Sequence, residues 1–157
     1  MEYNYNNIKF NSFKHRSYTF SSIKIQDLEK IRLWRNLQIN VLRQNIKISE
    51  KQQKNYFAKI ILNQTRLTKP KNILFKFMKK TQTIGYGGIT NINWKKKTAE
   101  MSFLLNNVRA TMNIIYKKEI SIFIKLISLL AKNELKIKSL TTETYITRKK
   151  HIKYLEE

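Results

Sequence analysis

Residues 73 to 105 change their hydrophobic face at almost every position, in three runs with almost nothing between them. In the first, Ile73, Phe75 and Phe77 alternate with Leu74, Lys76 and Met78. Lys79 to Gln82 turns the chain, and Thr83 to Trp94 forms the second run. Lys95, Lys96 and Lys97 make the next turn. In the third run, Ala99, Met101, Phe103 and Leu105 face one way and Thr98, Glu100, Ser102 and Leu104 the other. A period of two over such lengths specifies strands, and connections this short specify an antiparallel meander. The chain has only 3 glycines, and Gly85, Gly87 and Gly88 all fall in the second run. Their expected role is a bulge or a tight backbone approach. No helix follows them, so they are not a nucleotide fingerprint.

The elements around the meander follow other periods. Tyr18 to Ile25 reads as a strand, preceded by a polar, Asn-rich segment over 1–17 that reads as a loose tail or an edge segment. Asp27, the only aspartate, can cap a helix to about Asn36 that places Leu28, Ile31 and Trp34 on one face. Ser49 and Gln52 fit a capping box, with Tyr56, Phe57, Ile60 and Ile61 as the apolar face of the helix they start. Asn106 to Lys118 reads as a loop. From about Lys118 to Leu135, Ile120, Phe123, Ile124, Ile127, Leu130 and Ala131 recur at helical spacing. Lys138 to Ile146 is a β-branched strand, expected parallel to the third strand of the meander because a helix intervenes. A last helix begins near Arg148. The order β-α-α-β-β-β-α-β-α predicts one α/β (α+β) domain over 18–157, a mixed, mostly antiparallel sheet flanked by helices.

Composition narrows the function classes. With no cysteine, the chain has no disulfide framework, no thiolate metal site and no Cys nucleophile. Two histidines, one aspartate and 9 glutamates make an all-protein metal cage an unsuitable reading. The net charge is +22, which taken alone points to a polyanion. Yet 25 of the 32 basic residues are Lys, whereas recognition of base edges and phosphates favours Arg. Lys, Ile and Asn, all written with A/T-rich codons, supply 63 of 157 residues. Drift of composition is therefore read ahead of a nucleic-acid footprint. The first 17 residues hold no secretory apolar core, and the longest apolar stretch, Ile120 to Ala131, is broken by Lys125. A cytoplasmic protein without a membrane span is the expectation.

Several segments together resemble the GCN5-related N-acetyltransferases, and within them the sugar-amine and surface-glycan branch. They are LWRN (33–36), VLRQN (41–45), ISEKQQKNYF (48–57), IGYGGITNINW (84–94), AEMSFLL (99–105) and TETYITRKKHIKYLEE (142–157). The resemblance implies a sheet splayed between two neighbouring strands, with acetyl-coenzyme A in the gap and a small-molecule amine as acceptor. It implies that Phe103, Leu104 and Leu105 line the coenzyme arm, and that a loop-to-helix step holds the pyrophosphate, where unpaired amides and the helix dipole favour an anion. The family's loop carries small residues at two positions. Aligned on Arg109 these are Met112 and Ile114; aligned on helix length they are Lys118 and Ile120. Lys117 and Lys118 are read as substituting charge for close backbone contact, and Arg148 as a further phosphate contact. The family's last two strands, after a Gly-Phe step, have no counterpart before Glu157, so a C-terminally truncated domain is expected.

Three residues are candidates for proton transfer on the same resemblance. Glu100 is placed as general base, because an ammonium must lose a proton before it attacks. Tyr154 and His151 are candidate acids, with Leu155 in the slot where the family's tyrosine is expected. For the acceptor, Trp34, Arg35 and Asn36 end the first helix, and Arg43, Gln44 and Asn45 follow in a loop whose forked donors and amides suit a sugar or nucleotide phosphate. Two other functions fit the sequence: acetylation of a protein N-terminus, as on a ribosomal protein, and a non-catalytic basic module that binds nucleic acid.

Overall fold

A computed structural model describes residues 1–6 and 8–157. The first elements are β1 (Glu2–Tyr3), β2 (Lys14–His15), β3 (Tyr18–Ser21), β4 (Ile23–Lys24), α1 (Leu28–Leu37), α2 (Glu50–Tyr56) and α3 (Leu62–Arg66). The meander follows as β5 (Ile73–Lys79), β6 (Gln82–Asn93) and β7 (Thr98–Leu105). Then come α4 (Asn107–Thr111), α5 (Asn113–Asn133), β8 (Ser139–Thr141) and α6 (Lys149–Glu156). Six strands form one sheet in the order β2-β3-β5-β6-β7-β8, and β1 pairs with β4 in a separate ribbon. All neighbours in the large sheet are antiparallel except β7 and β8, which run parallel as the intervening helix requires.

The sheet lies between two apolar layers. On one face α5 packs Phe123, Ile127 and Leu130 against Phe20, Phe75, Phe77 and Leu105. The rings are in close contact, with Phe20 and Phe75 centroids 4.2 Å apart and Phe103 and Phe123 4.4 Å apart. On the other face Leu28 and Ile31 of α1, with Phe57 and Ile61, cover Leu74, Tyr86 and Leu104. β5 is therefore buried on both sides, and Lys76 within it needs a partner. It finds Asp27, 2.9 Å away and equally buried. Asp27 thus does not cap α1 with its side chain; its Oδ2 accepts the Lys24 backbone N–H at 2.7 Å.

Four expectations need correction. Residues 1–17 are not a loose tail: Tyr3, Tyr5, Phe10 and Phe13 are buried, and Tyr5 Oη accepts the Leu74 amide at 3.0 Å. Lys14–His15 takes the edge position, so the edge reading of that segment is the one the chain adopts. The Ser49–Gln52 capping box forms, but a π-helical turn over Phe57–Ile61 rotates the helix, leaving Tyr56 and Ile60 exposed. The segment expected as a loop over 106–118 is helical from Asn107, and the long helix starts at Asn113. The last strand pairs over three residues rather than from Lys138 to Ile146. No described helix is long and apolar enough to cross a membrane.

Gly87 explains the glycine cluster. A Cβ there would lie 2.2 Å from the Ser102 carbonyl oxygen and 2.7 Å from Phe123 Cζ. The phenyl ring and the neighbouring backbone both approach because that atom is missing. Gly87→Ala is expected to destabilise the fold by roughly 1–3 kcal/mol through overpacking. Urea denaturation checks this: the midpoint should fall while the slope stays constant.

Candidate active site

β7 and β8 pair only at Thr98–Ser139, Ala99–Leu140 and Glu100–Thr141. Beyond Glu100 they part, with Thr142 Oγ1 donating to the Met101 carbonyl at 3.2 Å as the last link. The edge of β7 facing β8 then has no ladder partner. Two cavities occupy the divergence. The larger, about 630 Å³, runs from Phe103, Leu104 and Leu105 past Asn107, Asn113 and Tyr116 to α6. The smaller, about 300 Å³, lies between Met101–Phe103 and Thr142–Tyr145. Val41, Leu42, Phe103, Arg148 and His151 line both, so the two chambers meet at these residues.

The segment after α1 shapes this opening. Gln38 Nε2 donates to the Leu105 carbonyl at 2.8 Å and to Asn107 Oδ1 at 3.2 Å. From the far side, Tyr145 Oη donates to the Leu42 carbonyl at 3.2 Å. The segment thus bridges both walls of the gap. Its fold is internal work for three residues expected at the acceptor. Arg35 donates to Gln44 Oε1 at 3.2 Å, Gln44 donates to Asn36 Oδ1 at 2.9 Å, and Asn36 holds both the N–H and the carbonyl of Ile48. None of Arg35, Asn36 and Gln44 lines either chamber, and Trp34 packs into the core below α1. Asn45 lines a separate surface cleft with Tyr145 and Thr147. Arg43 alone of the group lines the smaller chamber.

At the mouth, the first intrahelical bond of α5 runs from the Tyr116 amide to the Met112 carbonyl, 2.8 Å. The amides of Asn113, Ile114 and Ile115 therefore have no intrahelical acceptor. Helix onset at Asn113 puts Met112 and Ile114, the pair of the alignment on Arg109, at the start of α5, whereas Lys118 and Ile120 of the other alignment lie inside the helix. Met112 and Ile114 are 47% and 87% exposed. Their side chains turn to solvent, and the three amides without a helical acceptor are groups that would suit a phosphate. Lys117 and Lys118 lie within the helix rather than at its start, and line neither chamber. Lys117 pairs with Glu157 and sits 5.4 Å from the Tyr154 ring centroid. Arg109 turns inward to Glu119, which also accepts from Tyr18 Oη at 3.2 Å. With Asn106 capping α4, this buried group fixes the step between α4 and α5.

Glu100 is the last residue of β7 paired with β8. Its Oε2 accepts from Asn91 Nδ2 at 2.6 Å and from Arg43 Nη2 at 3.3 Å. Asn91 reaches it from a bulge in β6, where φ of 50° suits an asparagine. Glu100 lines neither chamber. In the wall of the larger chamber, Tyr116 Oη is 2.7 Å from His151 Nδ1 and accepts from Arg148 Nη2 at 3.1 Å. Burial raises the Tyr116 hydroxyl above its ordinary value, and the Arg148 guanidinium opposes this. Burial, with Arg148 second, pushes His151 down to about 4. At neutral pH His151 is uncharged and holds no imidazolium proton to give. Tyr154 lines the larger chamber with its ring against Tyr116. Tyr116, Asn91, Gln38 and Glu143 escaped the sequence reading. Tyr116 could have been found: with Ile120, Phe123, Ile127 and Leu130 it continues one helical face once the helix starts at Asn113.

Compared by sequence with proteins of curated function, the chain has no match. The family profile described as an acetyltransferase (GNAT) domain matches residues 20–157. Among solved structures, the chain is similar to spermidine N-acetyltransferase from Vibrio cholerae in complex with CoA and spermine. The TM-score is 0.69 at 12% identity, over 90% of this chain and 79% of that one. A mutant form of the spermidine/spermine N-acetyltransferase of that organism gives 0.69 and 12%, over 90% and 78%. A probable acetyltransferase gives 0.66 and 14%, over 90% and 77%. At these identities the likeness is one of fold. The chain belongs to the acetyltransferase (GNAT) family. It is an N-acetyltransferase, with acetyl-coenzyme A as co-substrate.

The depressed value of His151 makes stability depend on acidity. The unfolded chain takes up this proton near pH 6.5 and the folded chain only near 4. Stability is therefore complete above about 6.5 and falls as pH drops towards 4, where folding must exclude the proton. Thermal melts from pH 7 to 4 should show a downward trend that is smaller in His151→Gln.

Proposed function

We propose that the two chambers divide one acetyl transfer between them, and that the acceptor carries an amino group beside an anionic group, as sugar phosphates and sugar nucleotides do. The observation that carries the reading is the shared lining at Phe103, Arg148 and His151, a single junction where two ligands can meet. In the larger chamber the free amides of Asn113, Ile114 and Ile115, with Arg148, Lys149 and Lys150, hold phosphates, and the edge of β7 at Phe103, which has no ladder partner on this side, pairs with amide groups as an added strand would. The bound coenzyme supplies an activated acetyl group.

The acceptor occupies the smaller chamber. Neutral His151 accepts a hydrogen bond from the amine at the junction, and Glu100, at the last β7–β8 pair and outside the chamber lining, receives the proton the amine sheds by way of water. Tyr116 Oη carries a proton on the wall of the larger chamber, and Arg148 steadies negative charge there. The anionic handle is favoured by the walls. Arg43, Arg148, Lys149 and Lys150 line the chambers, against Glu143 as their one carboxylate among the described residues. Spermine, the ligand in the similar structure, carries only positive charge and would meet these cations within a chain of net charge +22.

Mass spectrometry of products tests the reading with glucosamine 1-phosphate, spermidine and a peptide amine offered separately with acetyl-coenzyme A. Glucosamine 1-phosphate is expected to be acetylated fastest. Faster acetylation of spermidine or the peptide would overturn the acceptor class while leaving acetyl transfer intact. Glu100→Gln should lower kcat/KM about 100-fold or more, the scale of general-base loss. Arg148→Gln should raise the KM for acetyl-coenzyme A about tenfold, the scale of one charge-assisted phosphate contact.

A further inference from the structure

The smaller chamber contains a cation of its own. Arg43 Nη1 donates to Glu143 Oε2 at 2.7 Å, and Nη2 donates to Glu100 Oε2 at 3.3 Å. One guanidinium thus spans the gap between the wall of β7 and the segment after β8. Glu100 is largely covered, with 16% of its side chain exposed, whereas Arg43 and Glu143 are each 63% exposed. Arg43 and Arg148 line the chamber with Glu143, while Glu100 lies outside the lining and is reached through Arg43. Without Arg43 the Glu100 and Glu143 carboxylates would both lose their guanidinium partner.

We propose that Arg43 is a specificity determinant that occupies the Glu100–Glu143 carboxylate pair, the place a second ammonium of a polyamine would take, and so restricts the acceptor to molecules with one amino group. This rests on the smaller chamber being the acceptor site. An exposed ion pair is weak in isolation, at most about 1 kcal/mol. Arg43 nevertheless has the advantage of its tether. The Leu42 carbonyl accepts from Tyr145 Oη, and Gln44 is held by Arg35 and Asn36, so the backbone on both sides is fixed. A tethered cation competes at a millimolar effective concentration. A free polyamine must exceed that before it displaces the guanidinium. A single amine at the junction near His151 has no need to displace it.

The test is calorimetric titration of spermidine and of glucosamine 1-phosphate into the wild type, Arg43→Gln and Arg43→Lys, in the absence of coenzyme. In Arg43→Gln the ratio of the two affinities should move at least tenfold towards spermidine. Arg43→Lys keeps the cation and should keep the wild-type ratio. Adding Glu143→Gln to Arg43→Gln should return spermidine binding towards the wild-type level. An unchanged ratio in Arg43→Gln, or a lysine variant that behaves like the glutamine variant, overturns the proposal. Far-UV circular dichroism confirms that each variant is folded, and the lysine comparison decides the matter if the glutamine variant is not. Because no acetyl transfer is measured, failure of the acetyltransferase chemistry and failure of Arg43 as a determinant give separate results.

Discussion

The contact of Phe123 with the backbone at Gly87 sets the direction of α5, and much else follows from that direction. The ring lies on the sheet within reach of Phe20, Phe75, Phe77 and Phe103. With its middle fixed there, α5 delivers its first turn to the mouth of the opening between β7 and β8. Tyr116, two turns before Phe123 on the same face, is carried to the wall of the larger chamber. A displaced α5 would move the free amides and Tyr116 together. The apolar layer is therefore also the alignment device of the site.

Two buried ionic groups complete that alignment in places where apolar packing has no directional content. Asp27 and Lys76 join the start of α1 to the central strand β5. Arg109, Glu119 and Tyr18 join the α4–α5 step to β3. Glu119 keeps one oxygen, Oε2, buried without a hydrogen bond among the described residues, which makes that group costly to disturb from either side. Each group ties a segment that shapes the opening to the sheet that carries it.

The meander was legible to within a residue because a period of two is a local property, written in each strand. Most of α5 was legible for the same reason. Its first turn was not: Ile114 faces solvent, and an outward isoleucine breaks the amphipathic pattern at the point where the helix starts. Between a loose tail and an edge segment the residues before Tyr18 gave no decision, because Tyr3, Tyr5, Phe10 and Phe13 are buried without any period, diluted by asparagines. The extent of β8 was illegible in principle, since Thr142 to Ile146 has strand propensity and only its neighbour's departure ends the ladder. Within the site, Glu100, Arg43, Arg148 and His151 were recognisable by residue type and motif. That Arg43 bridges Glu100 and Glu143, or that Tyr116 meets both Arg148 and His151, depends on elements far apart in the chain.

The outward-facing Met112 and Ile114 have a consequence for how such chains can diverge. A turn that offers only its amides, with its side chains directed away, places little demand on which amino acids it contains. Nucleotide bias can then rewrite those codons without changing the direction of the amides. Pattern searches keyed to small residues at that turn would pass over proteins of this kind, whereas the geometry of the peptide planes would still reveal them.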